Sequence, residues 1–243
     1  MVRLITILCL LMSLMGIANE SNGNDLRISN LTLVDSNHVQ LSVSWNNSWN
    51  LHSIKPPYNH DAAWIFLKFK ARNGDWQHLD LSSQSSDHSK IGNDSNAFAI
   101  KAVKDEKGVF LQSKVAGSGA IPLTTISLRL ADPLPKGRYQ VKSFGIEMVY
   151  VPEDSFYIGD GASNKRFMEG QTSAPYFIKS NDEIPVGTQK GKLTAKKEYL
   201  PADNIPKTFP NGYGSFYAMK YELSQAQYAD FLNTLTKQQQ AQR

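Results

Sequence analysis

Five histidines, His38, His52, His60, His78 and His88, are the first side chains to weigh for metal binding or proton transfer. Their separations contain no His-x-His, His-x-x-x-His or His-Glu-x-x-His spacing, the patterns that bring two imidazoles onto one face of a strand or helix. Asn59, His60 and Asp61 have the donors for a cation site or a proton relay, but they directly precede an apolar run and read as turn residues. Asp154, Asp160 and Asp182, with the Gly159-Asp160-Gly161 corner, offer the hard oxygens that calcium prefers. Their spacing matches no calcium loop, so a structural turn is the simpler reading. The chain has no Gly-x-Ser-x-Gly elbow and no phosphate-binding loop.

Tryptophan is the other residue type with chemical potential, because an exposed indole stacks on sugar rings. Trp45 lies on the apolar face of an alternating stretch and Trp64 inside an apolar run, so both read as core. Trp49 and Trp76 border polar stretches and form the one candidate ligand-facing pair, with ordinary packing as the alternative for each. Asn30-Leu31-Thr32, Asn46-Asn47-Ser48 and Asn93-Asp94-Ser95 are glycosylation sequons, meaningful only in a eukaryotic secretory host.

The chain begins with Arg3, an apolar run from Leu4 to Ile17, and small residues Gly16 and Ala18 suited to cleavage. A run of about fourteen residues is short for a membrane span, so residues 1–18 read as a secretory signal peptide. The only cysteine, Cys9, falls inside that run and leaves with it. A mature chain without cysteine has no disulfide, no thiolate metal site and no cysteine nucleophile. Roughly 220 mature residues bury a core without such staples. The formal net charge of +4 is modest, and the densest basic cluster, 190–197, reads as a solvated loop. No basic, aromatic-lined face points to nucleic acid, and the expected leader argues against it too.

Residues 25–143 read as all-β. Val39, Leu41, Val43 and Trp45 alternate with polar residues, the period of a half-buried strand. Ala63 to Phe69 is a more continuous apolar strand, suited to a central position. Asn73-Gly74 then turns the chain into the run holding Trp76, Leu79 and Leu81. Further strands fall at 98–103, 109–115, 126–130 and from Tyr139. About seven strands over about 120 residues predict an immunoglobulin- or fibronectin-like β-sandwich. Farther on, Phe144 to Gly161 reads as two apolar runs around a Pro152-acidic turn, a β-hairpin over 146–159. The stretch 161–213 is rich in proline and glycine and reads as loops. Ser224 is a good N-cap with Gln227 three residues on, and Tyr228, Phe231, Leu232 and Leu235 share one face of a helix over 225–239.

Met148, Val149, Val151, Pro152, Phe156, Ile158 and Gly159 resemble the opening motif of the formylglycine-generating enzyme, or sulfatase-modifying factor, family, with Asp154 where that family has glycine. The segment 215–235, SFYAMKYELSQAQYADFLNTL, is similar to a second motif of the same domain, in the same order. VSWNNSW, DAAWIFLKFK and GDWQHLDL look, more loosely, like an N-terminal module of secreted bacterial proteins that carry this domain. The resemblance covers about the last hundred residues and only the start of a domain normally several hundred residues long. It implies an incomplete, loop-rich α+β segment over 144–243. It also implies that the family's copper-dependent oxidation of a sulfatase cysteine is absent, because no position here corresponds to its cysteine pair.

The sequence therefore predicts a mainly β, secreted and non-catalytic envelope or surface protein, in the periplasm or on the cell surface. No cofactor is expected, and the expected partners are other envelope proteins or glycans. Once the leader is cleaved, the protein is not expected to be integral to a membrane. The rival expectations are a fragment of a formylglycine-generating-type oxidoreductase and, through Trp49 and Trp76, a carbohydrate-binding module. Residues 144–243 have few packing partners and are expected to be less stable than 25–143.

Overall fold

Val39, Leu41, Val43 and Trp45 are all buried along β2 (His38–Asn50), as their alternation requires. In the computed structural model this strand is one of fourteen among the described residues, which are 25–242 apart from 53, 55, 57, 93–96, 161–166 and 197–199. The expected leader at 1–18 and the sequon at 93–95 lie outside the described residues. Strand accounts for 47% and helix for 7%, so the expected mainly β class holds.

β2 pairs antiparallel with β1 (Arg27–Leu33) on one side and with β8 (Gly117–Arg129) on the other, and β5 (Ser89–Ile91) extends β8. β3 (His60–Ala71) pairs along its whole length with β9 (Tyr139–Val151). Its other edge holds β7 (Val109–Ser113), which carries β6 (Phe98–Ala102), and β4 (Gln77–Leu79). The two groups of strands meet at a single register pair, Asn50 with His60. They nevertheless share one core, in which Leu41, Trp45, Ile65, Leu67, Leu111 and Leu128 pack together. Burial of this apolar surface is the main stabilising term.

Two glycines are fixed by close approach. A Cβ on Gly145 would lie 2.7 Å from Ile28 and 2.9 Å from Leu26, so the missing side chain is what lets β1 close against β9. Gly108 has φ +141°, and a Cβ there would collide with the Ile65 carbonyl.

Past Val151 the expected hairpin does not form. β10 (Phe156–Ile158) pairs with β12 (Tyr176–Ile178), while the edge of β9 at Met148–Val151 is taken by β14 (Phe216–Met219). The Pro152-acidic turn therefore carries the chain from one sheet to another instead of folding it back. β9 also runs unbroken across residues 143 and 144, where a boundary was expected. The stretch expected to be loops contains β11 (Met168–Glu169) paired with β13 (Leu193–Thr194). Leu193 joins Tyr176, Ile178 and Ile184 in a second small core, so within the basic stretch expected to be a solvated loop Leu193 and Thr194 are buried strand, while Lys190 and Lys196 are exposed.

The expected helix 225–239 is two pieces. α1 (Gln225–Leu232) starts at the Ser224–Gln227 capping box, and α2 (Lys237–Gln240) restarts at a second box formed by Thr236 and Gln239. Between them Thr234 and Leu235 turn inward and are buried, which breaks the helix. Lys68 donates a 2.7 Å hydrogen bond to the Thr234 carbonyl, tying this break to the sheet. Replacing Ser224 by alanine removes the side-chain acceptor for the Gln227 N–H and is expected to destabilise α1 by about 1 kcal/mol. Amide exchange should then speed up at 227–232 with β2 and β3 unaffected.

Candidate functional site

Alternation along β3 sends two different sets of side chains to its two faces. Asp61, on the core side, is 1% exposed in the side chain and would be costly there alone. The Ser48 hydroxyl donates to its Oδ1 at 2.7 Å and the Trp49 backbone N–H at 2.9 Å, while Lys220 Nζ reaches Oδ2 at 3.0 Å. Lys220 also donates to the Asn47 carbonyl, lies 4.1 Å above the Trp49 ring and approaches Glu147 Oε2 at 3.8 Å. Asp61 is thus not a turn residue but half of a buried ion pair that fastens the end of β14 to β2, β3 and β9.

On the opposite face His60 stacks on Tyr150 at 4.7 Å, and its Nε2 lies 3.0 Å from the Tyr217 hydroxyl. Tyr217 in turn stacks on Phe110 at 4.2 Å. Burial pushes the His60 imidazole down to about 4 and the Tyr217 phenol up to about 12. Both are therefore neutral at pH 7. These titratable groups are taken up in pairing that holds β14 in place rather than facing an open cavity.

Beyond Met148 the same face is more open. β14 stops at Met219 and the chain turns away, so β9 from Tyr139 to Ile146 has no strand on that edge among the described residues. A groove of about 810 Å³ runs along it. One wall is Leu26, Ile28 and Leu31. The other comes from Phe144 and Ile146 of β9, with Tyr228 and Phe231 of α1. Trp64 and Phe66 of β3 also line it, so Trp64 is half-buried at the groove rather than in the core, where sequence placed it. Phe231 meets Phe144 edge-on at 6.2 Å, while Tyr228 remains 45% exposed. The volume is in the range that buries much of a bound ligand.

Trp49 and Trp76 do not form a pair. Each is half-buried with a lysine over its ring, Lys220 at 4.1 Å for Trp49 and Lys142 at 5.9 Å for Trp76. Trp49 sits at the Asp61 end of β3 and Trp76 beside β4 at the Lys68 end, about 23 Å apart at strand rise. His38 contacts Asp35, and His88 is held by Ser82 and Arg129, so these too are separate. Asp154 hydrogen-bonds Ser155 and Asp182 bonds Ser180, in separate turns. Among the described residues no three metal-ligating side chains converge, and no helix is long and apolar enough to cross a membrane.

Sequence reasoning missed Lys220 and Glu147, and it missed the groove. The one available signal was Asp61 itself, a carboxylate at the head of an unbroken apolar run, which needs a buried partner. Comparison with known proteins gives no match to a family model, a curated protein or a solved structure.

Proposed function

We propose that this chain is a secreted, non-catalytic envelope or surface protein that binds a polypeptide. In this reading residues 25–151 are an immunoglobulin-like sandwich, and the C-terminal segment is a partial sulfatase-modifying-factor-like unit that supplies one wall of the binding groove. The observation that carries it is the apolar groove along β9, floored by sheet and half-covered by Tyr228 and Phe231. The titratable clusters nearby support the same reading, because pairing and burial occupy them structurally. The separation of Trp49 from Trp76 favours a polypeptide over a glycan as ligand.

Calorimetric titration checks this directly. An unfolded, apolar-rich polypeptide is expected to bind with a negative heat-capacity change, and Phe231→Asp is expected to weaken binding at least tenfold. Soluble neutral oligosaccharides are expected to give no heat. Sugar binding lost on replacing Trp49 or Trp76, with no polypeptide binding, would overturn the proposal.

A further inference from the structure

We propose that the groove takes one strand of a partner polypeptide, added antiparallel to β9 along Val141–Ile146; this rests on the polypeptide-binding reading above. The ladder sets the geometry. In an antiparallel sheet the N–H and C=O of one residue point to the same side, and successive residues alternate. The Lys220 N–H donates to the Glu147 carbonyl at 2.8 Å, so Glu147, Val149 and Val151 face β14. By the same alternation Ser143, Gly145 and Val141 present their backbone groups to the groove, while Lys142, Phe144 and Ile146 are paired with β3. A row of open N–H and C=O groups between two apolar walls is matched by an extended chain and by little else.

The occupant continues the line of β14. Phe216–Met219 already fills this edge at 148–151, and the chain turns off after Lys220. An added strand starts opposite Ile146 and runs toward Val141. Its side chains opposite Ser143 and Gly145 fall against Leu26 and Ile28, and those opposite Phe144 and Ile146 fall against Tyr228 and Phe231. Both sides are mainly apolar, with Gln227 and the Lys142–Asp230 ion pair on the α1 side, so the partner segment is about six residues of mostly apolar, β-branched character, the pattern of a strand buried on both faces. A second copy of this chain matches the edge poorly, because its own β9 segment at Val141–Ile146 carries Lys142 and Ser143 in place of an apolar run.

The test uses the full chain and a synthetic peptide with a central Val-Ile-Val-Ile-Val run flanked by glutamates for solubility. The peptide is expected to bind and to slow amide exchange at Val141, Ser143 and Gly145. N-methylating the peptide amides that face β9 is expected to weaken binding at least about tenfold, whereas methylating the intervening amides has a much smaller effect. Equal sensitivity at both sets overturns strand addition while leaving polypeptide binding intact. Failure of the peptide to bind overturns the proposal as well, and loss of binding by unfolded polypeptides in the titration above identifies the broader reading as the one at fault. A stable dimer that protects the same three amides also overturns it, by assigning the edge to a second copy.

Discussion

Lys220→Met is expected to destabilise the protein by about 3–5 kcal/mol, the largest single effect foreseen here. Methionine keeps most of the packing volume over the Trp49 ring but leaves Asp61 as an uncompensated buried carboxylate. Ser48 and the Trp49 N–H still donate to Asp61, and two hydrogen bonds do not replace a cation removed from contact at 3.0 Å. β14 and the start of α1 are held to β2, β3 and β9 through this lysine, so the loss should appear first as faster exchange and earlier proteolysis at 216–242. The partner variant Asp61→Asn, combined with Lys220→Met, should recover part of the loss because the charge is gone from both sides. Denaturant unfolding of the four proteins measures the coupling. A single-variant cost below about 1 kcal/mol would mean that Asp61 is reached by water and that the pair does not pin β14.

Acid is expected to remove roughly 1–3 kcal/mol through His60. The group titrates near 6.5 when unfolded and near 4 when folded, because burial against Tyr150 and Tyr217 disfavours the cation. Between these values the unfolded chain binds more protons, so stability rises with pH across that window. The contribution is complete above about pH 6.5 and is lost as pH falls toward 4. His88 acts in the same direction: its Nδ1 accepts from the Arg129 N–H at 3.1 Å, and burial lowers its affinity for a proton. Chemical denaturation at several pH values should show the slope, and His60→Gln should flatten it. An unchanged slope in that variant would assign the acid sensitivity to other groups.

The parts of the fold legible in the sequence are those that depend on near neighbours. Alternation in β2 marks Val39, Leu41, Val43 and Trp45 as core because a strand's side-chain period is two, whatever it pairs with. Ser224 and Gln227 mark the start of α1 because a capping box is complete within four residues. The same signature at Thr236 and Gln239 was present and shows why the helix restarts. Pairing across long separations was not legible. Two apolar runs around Pro152 look like a hairpin locally, but Phe216–Met219, about 65 residues away, takes the edge that such a hairpin would use. Lys220 finds Asp61 across 159 residues by the same route. The groove could not be read either, since Trp64, Phe144 and Phe231 are apolar residues indistinguishable from core until the strand missing from one edge of β9 is known.

Site-resolved amide hydrogen exchange along β9 in the free protein tests the central claim most directly. An open edge on β9 gives an alternating record over 140–146, with Lys142, Phe144 and Ile146 slow and Val141, Ser143 and Gly145 fast, and slow exchange at Val149 and Val151 beneath β14. Uniformly slow exchange from Val141 through Gly145 would contradict it, because the edge assigned to a partner strand would already be filled.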